Sequence, residues 1–178
     1  PVRRVIQKSS NIGAAKIAMG LENGQLFRIL RDFGFGKRPG SSFPGESRGI
    51  LHMPHQWQRF DRATLGFGHG VAASALQVAR AYAVLASDGR RRPVGLRRLG
   101  PEEVPRGERV ISAETARQVT RMLELVVSEE GTGSRAQLDG YRVAGKTGTA
   151  QKPGADGYLE GKYVASFAGF APADDPEL

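Results

Sequence analysis

Apolar positions recur at helical spacing through most of the chain and give way to alternation near its end. Ile12, Lys16 and Met19 keep the spacing of a short helix that a loop at Ser9 enters and Gly20 breaks, and its small, apolar residues suit burial. Leu26, Ile29, Leu30 and Phe33 form a core-facing stripe over Gln25 to Phe33, with Gly34 as the stop. Ser74-x-x-Gln77 has the form of a capping box, and Leu76, Ala79, Ala83 and Val84 are the expected apolar face of the helix it opens, ended by Asp88-Gly89. Ser112 opens another helix, with Val119, Met122, Leu123 and Val126 as its stripe and Gly131 as its end. Then the period changes. Tyr163 to Phe170 alternates, Pro153 to Gly157 has turn composition, and Val143 to Lys152 runs into it, which predicts an antiparallel hairpin.

The connections are as informative as the periods. Phe35 to Gln58 is rich in Gly and Pro and lacks a period, so it reads as a long surface loop and a candidate wall of a substrate groove. Arg90 to Glu108 is a basic, Pro-containing connection. At 178 residues, a chain can bury roughly 70% of its unfolded surface, enough for one domain with a core. Apolar content of 39% and charged content of 25% are those of a globular protein, and 24 glycines imply many tight turns and close backbone approaches.

Charge and residue types remove several function classes. The net charge of +8 raises nucleic acid as a partner, but the densest cluster, Arg90, Arg91, Arg92, Arg97 and Arg98, has no aromatic residue on which a base could stack. We therefore expect no nucleic-acid partner, and at most an attraction to acidic polymers. With no cysteine there is neither a disulfide nor a thiolate metal site. His52 and His55 are separated by Pro54 and lack an obvious third ligand, so no metal is expected. Gly66, Gly68 and Gly70 surround Phe67 and His69 without the Lys-Ser/Thr ending of a phosphate loop, so no nucleotide and no cofactor are expected either. No run of eighteen or more apolar residues occurs, so any membrane contact is expected through a segment outside this chain. Pro1 at one end and the turn-like residues after Pro172 at the other give both ends the look of cuts.

The chemistry concentrates in Val143-Ala-Gly-Lys-Thr-Gly-Thr-Ala-Gln-Lys152, which combines a cation, two hydroxyls and a bare backbone. Thr147 and Thr149 are two apart and share a face if this is a strand. A glycine between two β-favouring threonines weakens the strand unless something approaches closely, so Gly148 suggests a docked extended ligand. Taken alone, so short a word as Lys146 to Thr149 is more often an ordinary turn or edge strand. A second word, Ser9-Ser10-Asn11, stands at the entrance of the first predicted helix, where serine and asparagine are usually caps worth about 1 kcal/mol.

Together, Ser9-x-Asn11 and Lys146-Thr-Gly-Thr149 resemble the active-site signature of penicillin-binding proteins and serine β-lactamases. Gly66-Phe-Gly-His-Gly70, Ser74 to Ala83 and Tyr163 to Pro172 extend the resemblance to class B penicillin-binding transpeptidases, most closely the septal, division-specific type, over nearly the whole chain. That family usually has Thr-Pro where this chain has Ser74-Ala75; Ser still caps and Ala suits a helix, so only the stiffness of the first turn is affected.

The resemblance implies an α/β fold of the α+β type, an antiparallel sheet flanked by helices and incomplete at both ends, with residues 1–178 a partial transpeptidase domain. It implies that Lys146 with Thr147 or Thr149 holds the carboxylate of a peptidoglycan stem peptide ending in D-Ala-D-Ala, or of a β-lactam antibiotic, beside the bare Gly148. The Thr149 N–H would supply half of an oxyanion hole. Ser9 would relay a proton between Lys146 and the leaving amine, since a hydroxyl donates and accepts at once. Asn11 would orient the substrate amide and the catalytic lysine, and the loop holding His69 would lie beside the site. The implied parent is a serine-type D,D-transpeptidase at the periplasmic face of the bacterial inner membrane, with a lipid II polymerase and division proteins as partners.

One departure qualifies this picture. The family's nucleophile sits in a Ser-x-x-Lys word N-terminal to Ser-x-Asn, and no serine here is followed three residues later by lysine. The chain alone is therefore expected to be inactive. A β-lactamase or D,D-carboxypeptidase, and a non-catalytic penicillin-recognising sensor, are the competing readings.

Overall fold

The computed structural model describes residues 1–154 and 157–176. Two short helices open it, α1 (Val2–Gln7) and α2 (Asn11–Met19), followed by α3 (Asn23–Asp32). Sequence periodicity misses α1, whose six residues are too few to show a helical period. Helix α3 begins two residues before the expected start, and Gly34 stops it with φ 102°. The long connection that follows is irregular, as its composition predicts, apart from β1 (Ile50–Leu51) and a 3₁₀ turn at Pro54–Gln56. Helix α4 (Arg59–Leu65) and β2 (Val71–Ala72) come next, and β2 pairs antiparallel with β1.

Helix α5 (Ala75–Ala86) starts at the predicted capping box: the Gln77 N–H donates to Ser74 Oγ at 3.2 Å, and the Ser74 N–H donates to Gln77 Oε1 at 2.8 Å. Its buried face differs from the expected one. Gln77, Ala81 and Val84 are buried, whereas Leu76 and Ala79 point outward. Gln77 is buried because its amide also donates to the carbonyls of Lys37 and Arg48, at 2.9 and 3.1 Å, pinning the long irregular connection against the helix. A polar residue with all its bonds met is cheaper to bury than its type suggests.

The basic connection closes on itself as a small ribbon, β3 (Arg90–Arg91) against β4 (Glu108–Arg109). Helix α6 (Ala113–Val127) then crosses the molecule, N-capped by Ser112, which accepts from the Thr115 N–H at 3.0 Å. It ends at Val127, four residues before Gly131, and buries Ala116, Thr120, Leu123, Val126 and Val127. Val119 and Met122, on the expected stripe, are half-buried.

Strands β5 (Ala144–Gly154) and β6 (Gly157–Phe170) form the predicted hairpin, longer than expected on both sides. Lys146 lies opposite Ala168, Thr147 opposite Phe167 and Thr149 opposite Ala165. The expected turn at Pro153 to Gly157 contains residues 155 and 156, which lie outside the described residues; Gly154 pairs with Gly157 across it. Among the described residues β6 has no second neighbour, and Tyr158, Tyr163, Val164 and Phe167 on it are exposed. The core lies at the hairpin's other end. Leu123 of α6, Ala144 of β5 and Ala173 are buried together, with Ile6, Tyr82, Leu85, Val119 and Phe170 packed around them.

Candidate active site

The segment carrying Ser9 is a helix-to-helix turn held in an unusual backbone state. The Ser10 N–H donates to the Val5 carbonyl at 2.9 Å and the Ser9 N–H to the Ile6 carbonyl at 3.2 Å. This is the paired closure by which helices end on a left-handed residue, a place normally given to glycine. Here a serine occupies it, with φ 52°. A side chain there costs about 1–2 kcal/mol, and residues held in such conformations concentrate at functional sites; Ser42 and Asp88 share the left-handed region.

Ser10, next in line, is the actual cap of α2: its backbone is extended and its hydroxyl accepts from the Gly13 N–H at 3.1 Å. The capping role that sequence offered to Ser9 and Asn11 therefore belongs to Ser10. Ser9 and the first helical residue, Asn11, are both exposed. The close approach of α2 to α4 needs Gly66, since a Cβ there would lie 2.7 Å from the Ala14 carbonyl oxygen. That contact carries Gly66 and Phe67 to the same rim.

Facing this turn is the start of β5. Its regular pleat puts Thr147 and Thr149 on one face and Lys146 and Gly148 on the other, as the two-residue period requires. Lys146 Nζ donates to the Thr147 carbonyl at 3.1 Å and lies 3.4 Å from Thr147 Oγ1. Burial pushes the Lys146 amine below its ordinary value, because desolvation disfavours a cation. Thr147 Oγ1 also meets the Thr132 hydroxyl at 3.0 Å. A Cβ on Gly148 would lie 2.7 Å from Ser166 Oγ on the paired strand, so its bare backbone relieves crowding within the sheet as well as lining the cavity.

Ser9, Asn11, Lys146, Thr147, Gly148 and Thr149 all line one open cavity of about 360 Å³. Its remaining walls are Val5, Ile6, Ser10, Ala14, Gly66, Phe67, Tyr82 and Leu123. All six residues proposed from sequence thus meet, although the two words stand near opposite ends of the chain. Tyr82 and Leu123 give the floor an apolar character, and burial raises the Tyr82 phenol to about 12. The loop from Gly66 to Gly70 lies beside the site as the resemblance implies, through Gly66 and Phe67; Tyr82 and Thr132 are not singled out from sequence, and nothing local marks them.

The connection 35–58 contributes no residue to this cavity, which corrects its reading as a groove wall; Gln77 and the Arg80 bond to the Pro39 carbonyl hold it against α5 instead. His69 lies outside the lining, with Nε2 3.5 Å from the Tyr158 hydroxyl. No group of three or more His, Cys, Asp or Glu able to hold a metal occurs among the described residues. A larger cavity of about 630 Å³, between α5, α6 and the residues after β6, lies away from both words. It is lined by arginines, and the ion pairs Arg117–Asp88 and Arg142–Glu124 neutralise part of their charge. Its hydroxyls, Ser87 and Thr120, have no lysine among the lining residues to form a relay. No helix among the described residues is long and apolar enough to cross a membrane.

Comparison with known proteins gives one consistent answer. The family model described as the penicillin binding protein transpeptidase domain matches residues 1–178. The peptidoglycan D,D-transpeptidase FtsI of Escherichia coli strain K12 is 41% identical over 174 residues, which is 98% of this chain and 29% of that protein. The protein named "Probable peptidoglycan D,D-transpeptidase PenA" from Neisseria flavescens is 41% identical over 99% of this chain and 44% of its own length. Among solved structures, the apo transpeptidase domain of penicillin-binding protein 3 from Burkholderia pseudomallei superposes with a TM-score of 0.93 at 45% identity, covering 98% of this chain and 53% of that one. The chain therefore spans less than half the length of these two curated relatives.

Proposed function

Because the chain belongs to the penicillin binding protein transpeptidase family, we propose that it is part of a serine-type peptidoglycan D,D-transpeptidase that cross-links stem peptides during septal wall synthesis and is acylated by β-lactams. One observation carries the reading: Ser9 and Asn11 from a strained turn and Lys146 to Thr149 from a hairpin line the same cavity.

In this reading Lys146 and the threonine hydroxyls take the substrate carboxylate. The lysine is half-buried, where a charge interacts more strongly than in water, and Thr147 already accepts from its amine. Ser9, on the opposite wall, passes the proton released by the nucleophile to the leaving amine, and Asn11 orients the amide. The Thr149 N–H gives one of the two donors an oxyanion needs. The nucleophile itself is assigned to the remainder of the full-length protein, since no Ser-x-x-Lys occurs among the 178 residues. The acyl step joins the serine oxygen to the penultimate D-alanine carbonyl carbon and releases the terminal D-alanine; a second stem-peptide amine then takes the acyl group.

Localisation at the periplasmic face of the inner membrane, anchoring through a segment outside this chain, and partnership with a lipid II polymerase and division proteins belong to the same proposal. The names of the relatives favour a transpeptidase over a β-lactamase or a sensor.

The test is intact mass after incubation with a penicillin. The complete protein should gain one covalent adduct and the 178-residue chain none. In the complete protein, Ser9→Ala and Lys146→Ala should each slow acylation by about a hundredfold or more, the scale of losing one element of transition-state stabilisation. An adduct on the short chain, or unchanged labelling in both variants, would overturn the assignment.

A further inference from the structure

Lys8 ends α1 and stands directly before Ser9, and its Nζ donates to the Glu130 carbonyl at 2.6 Å. Among the described residues this is the only side-chain hydrogen bond from the α1–α2 pair to the α6–β5 half of the cavity. The halves also meet by packing, chiefly α1 on α6 and Ile6 on the core around Leu123 and Ala144, which is favourable but non-directional and leaves small sliding motions cheap. A charge-assisted bond adds a fixed distance and direction.

The loop that receives the bond is itself well tied. The Gly131 N–H donates to the Ser128 carbonyl and the Gly133 N–H to the Val126 carbonyl, both at 2.8 Å. Between those glycines stands Thr132, whose hydroxyl meets Thr147 Oγ1 at 3.0 Å. That same oxygen lies 3.4 Å from Lys146 Nζ. A continuous chain of contacts thus runs from the Ser9 turn through Lys8, the loop carbonyl and Thr132 to Thr147 and Lys146.

We infer that Lys8 is a positioning residue that holds the Ser9 turn in register with the Lys146 strand, an inference that rests on the transpeptidase assignment of the cavity. Lys8 need not touch substrate. It sets where the relay hydroxyl stands relative to the lysine, and misplacement on the ångström scale is enough to slow a proton transfer strongly.

The test uses the complete protein with Lys8→Met and Lys8→Arg, resolving penicillin acylation into initial complex formation and the acylation rate constant. Lys8→Met should lower the acylation rate constant about tenfold while the initial complex and the thermal midpoint change little, as expected when only reacting geometry is disturbed. Lys8→Arg, which keeps a cationic donor, should restore most of the rate. The inference is overturned if Lys8→Met acylates normally, if Lys8→Arg is equally impaired, or if the loss tracks a fall in thermal midpoint. Lys146→Ala measured alongside separates the two levels: normal acylation there overturns the transpeptidase assignment itself, whereas impairment there with normal Lys8→Met removes the positioning role alone.

Discussion

The two walls of the cavity are built by opposite means. Lys146 sits on a regular antiparallel strand, in register with Ala168, where the backbone is relaxed and two-residue alternation alone decides which side chains share a face. Ser9 sits between two short helices in a left-handed conformation that its Cβ disfavours, kept there by two backbone hydrogen bonds and by the cap that Ser10 supplies to the next helix. A strand can carry recognition groups cheaply because its geometry is set by long pairing. A single hydroxyl aimed across a cavity needs a tighter bend, and the cost of that bend is borne locally.

That contrast makes four kinds of change informative, beginning with the catalytic losses expected above for Ser9→Ala and Lys146→Ala. If the helical wall depends on close contact, Gly66→Ala should destabilise the complete protein by about 2 kcal/mol, because backbone of α2 must move to admit a Cβ. A denaturant midpoint unchanged by this substitution would mean that the crossing is looser than its geometry. Ser9→Gly should separate strain from function. Relief of the left-handed serine, less the added entropy of an unfolded glycine, predicts a gain of about 0.5 kcal/mol, while acylation falls as far as in Ser9→Ala. A loss of stability would show that the Ser9 side chain helps to hold the turn.

The last effect is confined to alkaline pH and concerns the floor between the walls. Burial holds the Tyr82 phenol at about 12, against an ordinary value of 10.0. Between those values the unfolded chain has lost a phenol proton that the folded chain keeps, so the contribution of Tyr82 to stability should fall as pH rises through this window and stay constant below it. Tyr82→Phe should flatten that part of the stability profile; an unaltered slope would assign the alkaline loss to other groups.

Much of this molecule is legible in one dimension. The capping serines Ser74 and Ser112 announce their helices correctly, Gly34 stops α3, and the alternation of Tyr163 to Phe170 identifies the hairpin. These are local matters of hydrogen bonds and dihedral preference within a few residues. Misreadings occurred where a distant partner overrides local type. Gln77 is buried through its bonds to Lys37 and Arg48, far along the chain, displacing Leu76 from the expected face. Helix α1 carries an apolar pair, Val5 and Ile6, too short to show a period on its own, and that pair meets its partners only when α1 packs on α6 and the core.

The candidate site divides in the same way. Ser9, Asn11 and Lys146 to Thr149 are recognisable from residue type and spacing, because the chemistry of a proton relay and a carboxylate seat admits few side chains. Their meeting in one cavity, the transfer of the capping role to Ser10, the strain at Ser9 and the tie from Lys8 to the Glu130 carbonyl were decided by tertiary structure alone. Sequence records which groups are available, whereas distance and direction between segments so far apart arise only when helices and strands pack, and each contact then limits where the next can fall.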